Sequence, residues 1–197
     1  MKERLVKGTN LLGVVRLLRS QQHSRPLPEM GAWEQDLLRK RVSASTWYAL
    51  MVFDSLLQIA HRYVFDGSEA AAQNMGRFFG QELARDRAAR GVERPSHDPL
   101  ATLSDMASRW RRFFNFGEFD VTPWPNPDSE DGARVTITGY PDMSACHGHT
   151  IIGWSMQLVE DAGAKNVELR IEERPWMHNS LLAYTLHWGE TKPPADG

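Results

Sequence analysis

SACHGHTIIGWSMQLVEDAG, residues 144–163, decides how this chain folds. His149, Ile152, Gly153, Met156 and Val159 recur at the spacing of one helix face, and Gly163 stands where a helix C-cap belongs. Strand-like segments lie on both sides. Before it, GEFDVTPW (117–124) and ARVTITGY (133–140) are rich in β-branched and aromatic residues and are parted by the turn-forming PNPDSEDG, which predicts a hairpin with a long connection. After it, KNVELRIEER (165–174) and SLLAYTLHW (180–188) predict two more strands, with Val167, Leu169 and Ile171 alternating against polar residues. Four strands interrupted by one helix make an α+β sheet with the helix inserted between strand pairs.

Upstream of residue 116 every apolar pattern is helical. Leu5, Leu11, Leu12, Val15 and Leu18 predict a first helix over 3–20, followed by a loop at 23–31 and a short helix over 32–41. From Ser43 the chain offers Ser and Thr caps to a long apolar helix. Tyr48, Val52, Ser55, Leu56, Ile59 and Tyr63 mark one of its faces, and Leu50, Phe53, Leu57, Ala60 and Val64 mark the next, so this helix is expected to be central. Asp66-Gly67-Ser68 ends it and caps a helix whose stripe is Ala71, Met75, Phe78, Phe79 and Leu83; Gly76 and Gly80 lie one turn apart there and admit a neighbouring backbone. Leu100, Leu103, Met106, Trp110, Phe113 and Phe114 predict one more helix over 98–115. The expected division is an N-terminal helix and linker over 1–30, one α+β ligand-binding-like domain over 31–190 and a flexible tail over 191–197.

The 197 residues are 41% hydrophobic and 24% charged with a net charge of −2, an ordinary globular composition. Arg85, Arg87, Arg90, Arg94, Arg109, Arg111 and Arg112 form no net positive excess and no reading element, so nucleic acid is not an expected partner. No run approaches the ~20 apolar residues that span a bilayer. A lone Cys146 fits a reducing, cytoplasmic compartment.

The order of helices, hairpin, helix opening near His-x-His, Gly-Ala turn and two closing strands ending in Trp188 resembles a bacterial superfamily. It includes four-vinyl-reductase-type ligand-binding domains, heme-NO-binding-associated domains and subunits of TRAPP transport particles. TWYALMVFDSLLQIAHRYVFDGSEAAAQNMGR (46–77) and GWSMQLVEDAGAKNVELRIEER (153–174) look closer still to an uncharacterised paralogous family of gliding social bacteria. The resemblance implies a helical layer on a four-stranded antiparallel sheet, an apolar cavity between them and a dimer formed through helices. Zinc-binding members of the superfamily place a cysteine where this chain has Gly148, and two more where it has Trp176 and Tyr184. Only Glu173 matches the metal set, so the zinc site does not carry over, and neither metal nor cofactor is expected.

The residues themselves offer modest chemistry. Cys146 and His149, three apart, share a helix face, and Glu173 is a possible third ligand, but structural zinc takes four. A thiol near a helix N-terminus beside His147 is reactive only if its pKa falls. The preferred reading is a cap by Ser144 or Asp142, with Cys146 packed as a small hydrophobe. Ser96, His97 and Asp98 resemble a hydrolase triad in composition alone, Glu172 and Glu173 point to opposite faces of a strand, and a haem would need an axial ligand such as His61, His178 or His187. No combination of nucleophile, base and oxyanion donor assembles. The expectation is therefore a non-enzymatic sensory or signalling module, a homodimer, holding a small apolar or acyl ligand between helices and sheet. Phe78, Phe79, Trp110, Phe113, Cys146, His149, Trp154 and Trp176 are its candidate lining. The alternative is a protein-interaction scaffold with a solid core and no ligand.

Overall fold

Alternating apolar residues in the C-terminal half pair into one antiparallel sheet. The computed structural model describes residues 3–22, 30–89, 97–125 and 131–189. The sheet contains β3 (Glu118–Pro123), β4 (Gly132–Thr138), β5 (Lys165–Glu173) and β6 (Leu182–Gly189) in the order β3-β4-β6-β5, every neighbour antiparallel. β6 lies inside the sheet, and its first five residues are buried. The edges carry charge instead: Glu118 and Asp120 on β3, Glu168, Arg170 and Glu172 on β5, a pattern that discourages further strand pairing.

Between the two strand pairs runs α6 (Ala145–Asp161), the inserted helix expected from residues 144–163. It is buried from Cys146 to Gly153 and again from Ser155 to Val159. Gly163, at φ 104°, takes the left-handed conformation that closes its end, with Ala164 N–H donating to Val159 O at 3.0 Å. Ser155 Oγ and Tyr184 Oη share a 2.7 Å hydrogen bond that fixes α6 on β6.

The helical half comprises α1 (Gly8–Gln22), α2 (Ala32–Arg39), α3 (Leu50–Tyr63), α4 (Glu69–Ala88) and α5 (Pro99–Phe113). α4 crosses α6 at backbone contact. A Cβ on Gly76 would stand 2.0 Å from Thr150 O, and one on Gly153 1.9 Å from Gln73 O. The Gly76 and Gly80 pair is thus a packing device, joined by the ion pair of Arg77 with Glu160. α5 begins on Asp98, whose carboxylate accepts from Ala101 N–H at 3.0 Å, with Pro99 in the first turn. Trp110 stacks on Phe114 at 4.2 Å and donates its indole N–H to Phe116 O.

Three expectations are corrected. The first helix starts at Gly8, because Leu5–Lys7 (β1) pairs with Trp47–Ala49 (β2) as a small second ribbon. That pairing also uses the residues expected to open α3, so α3 starts at Leu50 with Ala49 at its N-cap and no side-chain cap. Nor is α3 central: Leu50, Phe53, Leu56, Leu57 and Ala60 are buried, while Met51 and Tyr63 are 76% and 45% exposed. The helix buried nearly all round is α6. Leu11, Val14, Val15 and Leu18 of α1 share one core cluster with the sheet residues Val135, Ile137 and Leu186. Residues 191–197 lie outside the described residues, as do Arg90, Arg94 and Ser96. No helix among the described residues is long and apolar enough to cross a membrane.

Candidate functional site at the head of the inserted helix

The segment leading into α6 turns tightly after β4. Gly139, at φ 69°, begins the turn, Tyr140 is buried behind it, and Ser144 in extended conformation caps the helix. Ser144 Oγ accepts from His147 N–H at 3.2 Å and donates to Asp54 Oδ1 at 2.6 Å, so one hydroxyl joins α6 to α3. Tyr140 Oη and His147 Nδ1 share a hydrogen bond at 2.9 Å, and Asp54 Oδ1 lies 4.0 Å from the same nitrogen. Phe53 meets the His147 ring edge-on at 5.2 Å, with Phe114 at 5.9 Å. Burial holds His147 far below the ordinary imidazole range, at about 4, with Asp54 pulling the other way. Burial likewise raises the Tyr140 phenol well above its usual range.

Above this network opens a surface cleft of about 310 Å³, bordered by Arg4, Leu50, Met51, Asp54, Tyr140 and Asp142. Arg4 forms a two-pronged ion pair with Asp142, which lowers the carboxylate pKa and raises that of the guanidinium. The guanidinium carbon lies 5.8 Å from the ring centroids of both Phe116 and Tyr140.

Cys146 sits beside this network with its thiol buried. Burial, then Asp54, push its pKa up to about 12, the reverse of what nucleophilic activation needs. His149 is 1% exposed; its Nδ1 is 3.3 Å from Gln73 Nε2, and its buried Nε2 has no hydrogen-bond partner, Glu69 Oε1 being 3.5 Å away. Trp176, on the 3-10 turn Pro175–Met177, covers this face of α6, 5.1 Å from the His149 ring and so close to Gly148 that a Cβ there would meet it at 2.1 Å. Burial lowers the His149 pKa.

The eight residues expected to line one ligand space fall in several places. His149 and Trp176 pair over the head of α6. Phe78 and Phe79 form an edge contact on α4 at 5.7 Å, with Phe79 packed under Gly13. Trp110 belongs to the stack with Phe114 and Phe119, and Cys146 to the His147 neighbourhood. Phe113 and Trp154 do line one seam of α4, α5 and α6, together with Leu83, Met106 and Leu158, around about 30 Å³. Asp54, Tyr140 and Arg4 were missed by the sequence reading. Asp54 carried a signal, since it sits at helical spacing between Leu50 and Leu57, and a carboxylate on a buried face needs partners. Tyr140 and Arg4 carried none, because their roles depend on contacts across the fold.

Among the arginines, Arg85, Arg109 and Arg111 pair with Glu82, Asp105 and Glu118. Glu172 accepts from Arg134 at 2.8 Å, and Asp98 caps α5.

No family model and no curated protein sequence matches the chain. Solved structures match its fold. An H-NOX protein from S. oneidensis in the Fe(II) state superposes with a TM-score of 0.65 at 9% identity, covering 96% of this chain and 100% of that one. An Fe(II) unliganded H-NOX protein from K. algicida gives 0.60 at 11% identity over 94% and 97%. A trafficking protein particle complex subunit 3 from Naegleria fowleri, covalently bound to palmitic acid, gives 0.49 at 15% over 72% and 93%, too loose an overlap to argue from. The chain shares the H-NOX fold.

Proposed function

We propose that the chain is a non-enzymatic sensory module that binds a small molecule and acts as a homodimer in the cytoplasm. The observation that carries this reading is the cleft of about 310 Å³ at the head of α6, within the size range of ligand sites. Its floor is hydrogen-bonded through Asp54 and Ser144 to the first turn of the most deeply buried helix. A ligand that engages Asp54 or Tyr140 therefore acts on α6 directly. The H-NOX fold supports a sensory role, and the two quoted stretches support kinship with the gliding-bacterial paralogues. A thiol held at about 12 and a hydroxyl committed to Asp54 leave no activated nucleophile in this cleft.

Iron is what the H-NOX neighbours hold, and five histidines among the described residues do not fit it. An axial imidazole must present a free nitrogen to an open, haem-sized space. His147 gives Nδ1 to Tyr140 and is walled by Phe53 and Phe114. His149 is covered by Trp176 and faces Glu69, while His61 Nε2 is bonded to Ser68 O at 2.7 Å. His187 stands against Trp124, and His178 closes the 3-10 turn in a left-handed conformation. Among the described residues no three His, Cys, Asp or Glu side chains gather to hold a metal.

Native mass spectrometry of the purified chain, followed by a thermal-shift screen of small molecules, tests the reading. A retained or stabilising compound whose effect is lost in Met51→Trp, which fills the mouth of the cleft, is the expected result. A chain that retains nothing, responds to nothing and elutes as a monomer overturns it; capture of a specific protein partner in that case favours the scaffold. One feature favours an apolar or acyl ligand elsewhere, among the helices: the seam of α4, α5 and α6 is bordered by the apolar Leu83, Met106, Phe113, Trp154 and Leu158, with Thr102, Asp105 and Arg109 beside them. Its roughly 30 Å³ holds little more than water, so such a ligand must part α5 from α6. The part of the tryptophan emission that Trp154→Phe removes, followed through a titration with a fatty acid, reports on that seam.

A further inference from the structure

We infer that the cleft at the head of α6 selects a small organic cation, an amine or guanidine carried on an apolar body. This rests on the cleft being the ligand site and goes on to what the ligand is. Three carboxylates border the cleft, Glu3, Asp54 and Asp142, against one guanidinium, Arg4. Acids alone would say little. Here the protein seats a cation of its own beside them: Arg4 lies against the rings of Phe116 and Tyr140 while its nitrogens hold Asp142. Aromatic rings together with a carboxylate are how proteins recognise a desolvated cation.

Arg4 spends its charge on Asp142, which leaves the border acidic through Asp54 and Glu3. Asp54 is held in place by two donors, Ser144 Oγ at 2.6 Å and Gln58 Nε2 at 2.9 Å, and its side chain is 22% exposed. An ionised carboxylate offers about four lone-pair sites, so these two bonds leave acceptor capacity for an ammonium or guanidinium. Ala49, Leu50 and Met51 supply the apolar wall, with Met51 exposed at the mouth as a soft, adaptable contact. An anionic ligand would meet the same border with its one cation already engaged. A bound ammonium on Asp54 would share that carboxylate with Ser144, the cap of α6.

Three probes with the same ring and different charge test this on the full chain: phenethylamine, 2-phenylethanol and phenylacetate, followed by calorimetry and by NMR shifts of the Met51 methyl. The amine is expected to bind on the order of tenfold more tightly than either of the others, and less tightly as salt rises. Asp54→Asn and the surface variant Glu3→Gln should each weaken it several-fold, the second without changing the fold. Equal binding of phenylacetate or the alcohol overturns the charge selection while leaving the cleft as the ligand site. Amine binding unchanged in both variants places the cation elsewhere and overturns the inference. If none of the three binds, the inference fails; whether the cleft reading fails with it is read from the Met51→Trp result.

Discussion

The head and the middle of α6 are both buried and are specified by opposite means. Toward its middle, Gly153 lies against the backbone of Gln73, and Gly76 of α4 lies against the carbonyl of Thr150, so the contact exists because side chains are missing. At its head the first turn is built from side chains that have each found a partner: Ser144 with Asp54, and His147 with Tyr140. A steric fit has no charge state and answers only to volume. A hydrogen-bonded imidazole network answers to pH and to whatever touches its acceptors, so the head of α6 is the part suited to sensing and the middle is the part suited to holding it still.

The comparison breaks most sharply at Gly153. With valine there, the side chain would start 1.9 Å from Gln73 O, a backbone atom that cannot swing aside, so α4 and α6 must separate along their whole crossing. A loss of roughly 4 kcal/mol or more is expected in urea unfolding, large enough to leave little folded protein. Gly67→Ala is the control. Its φ of 81° is strained for alanine but nothing lies within 4 Å, so it costs only about 1 kcal/mol.

The head of the helix should instead respond to acid. His147 titrates at about 4 in the folded chain against an ordinary 6.5, so between those values the unfolded chain takes up a proton that the folded chain refuses. The His147 contribution is therefore full above pH 6.5 and is lost as pH drops toward 4, below which the Asp142 carboxylate, lowered by Arg4, carries the decline further. At about 1.4 kcal/mol per pH unit the full fall is about 3 kcal/mol. His149, lowered for the same reason, adds in the same direction. Unfolding free energies measured from pH 7 to pH 4 should show this slope in the wild type and a reduced slope in His147→Gln. An unchanged slope would remove His147 from the account.

These two parts of α6 also differ in how far they could be read beforehand. The glycine spacing at 76 and 80 and the helical period of 149, 152, 153, 156 and 159 are local; the first announced a close backbone approach without naming its partner, and the second announced the inserted helix. Strand alternation likewise announced the four-stranded sheet, and Ser144 was one of the two residues, with Asp142, read as the cap. What stayed hidden depends on residues far apart in sequence: β1 with β2, Arg4 with Asp142, Asp54 with Ser144. The pairing of Leu5–Lys7 with Trp47–Ala49 defeated helical periodicity because an apolar residue in a short strand looks the same as one in a helix. The aromatic residues misled for a related reason. Periodicity says that Trp110 or Phe79 is inward, not whether its neighbours leave a space.

A smaller effect is expected at Tyr140. Tyr140→Phe keeps the ring contacts with Phe116 and His147 but strips the buried Nδ1 of its partner, at a cost of about 2 kcal/mol in urea unfolding. If the variant is as stable as the wild type, water or Asp54 has taken the hydroxyl's place, and the network is looser than its distances indicate.

The smallest effect divides a shared cap from a private one. Ser144 and Asp98 both accept from a first-turn N–H, of His147 and Ala101, but only the Ser144 hydroxyl also donates to another helix. Each alanine substitution should cost about 1 kcal/mol for the lost cap. Ser144→Ala additionally takes a donor from Asp54, which appears as coupling in a double-mutant cycle with Asp54→Asn, on the order of 0.5–1 kcal/mol. Additive effects would mean that Ser144 only starts the helix, and that a ligand on Asp54 has no hydrogen-bonded path to α6. Coupling would place the cap and the cleft in one unit, so that a change in the field at Asp54 is felt at the start of the helix that the middle glycines hold in place.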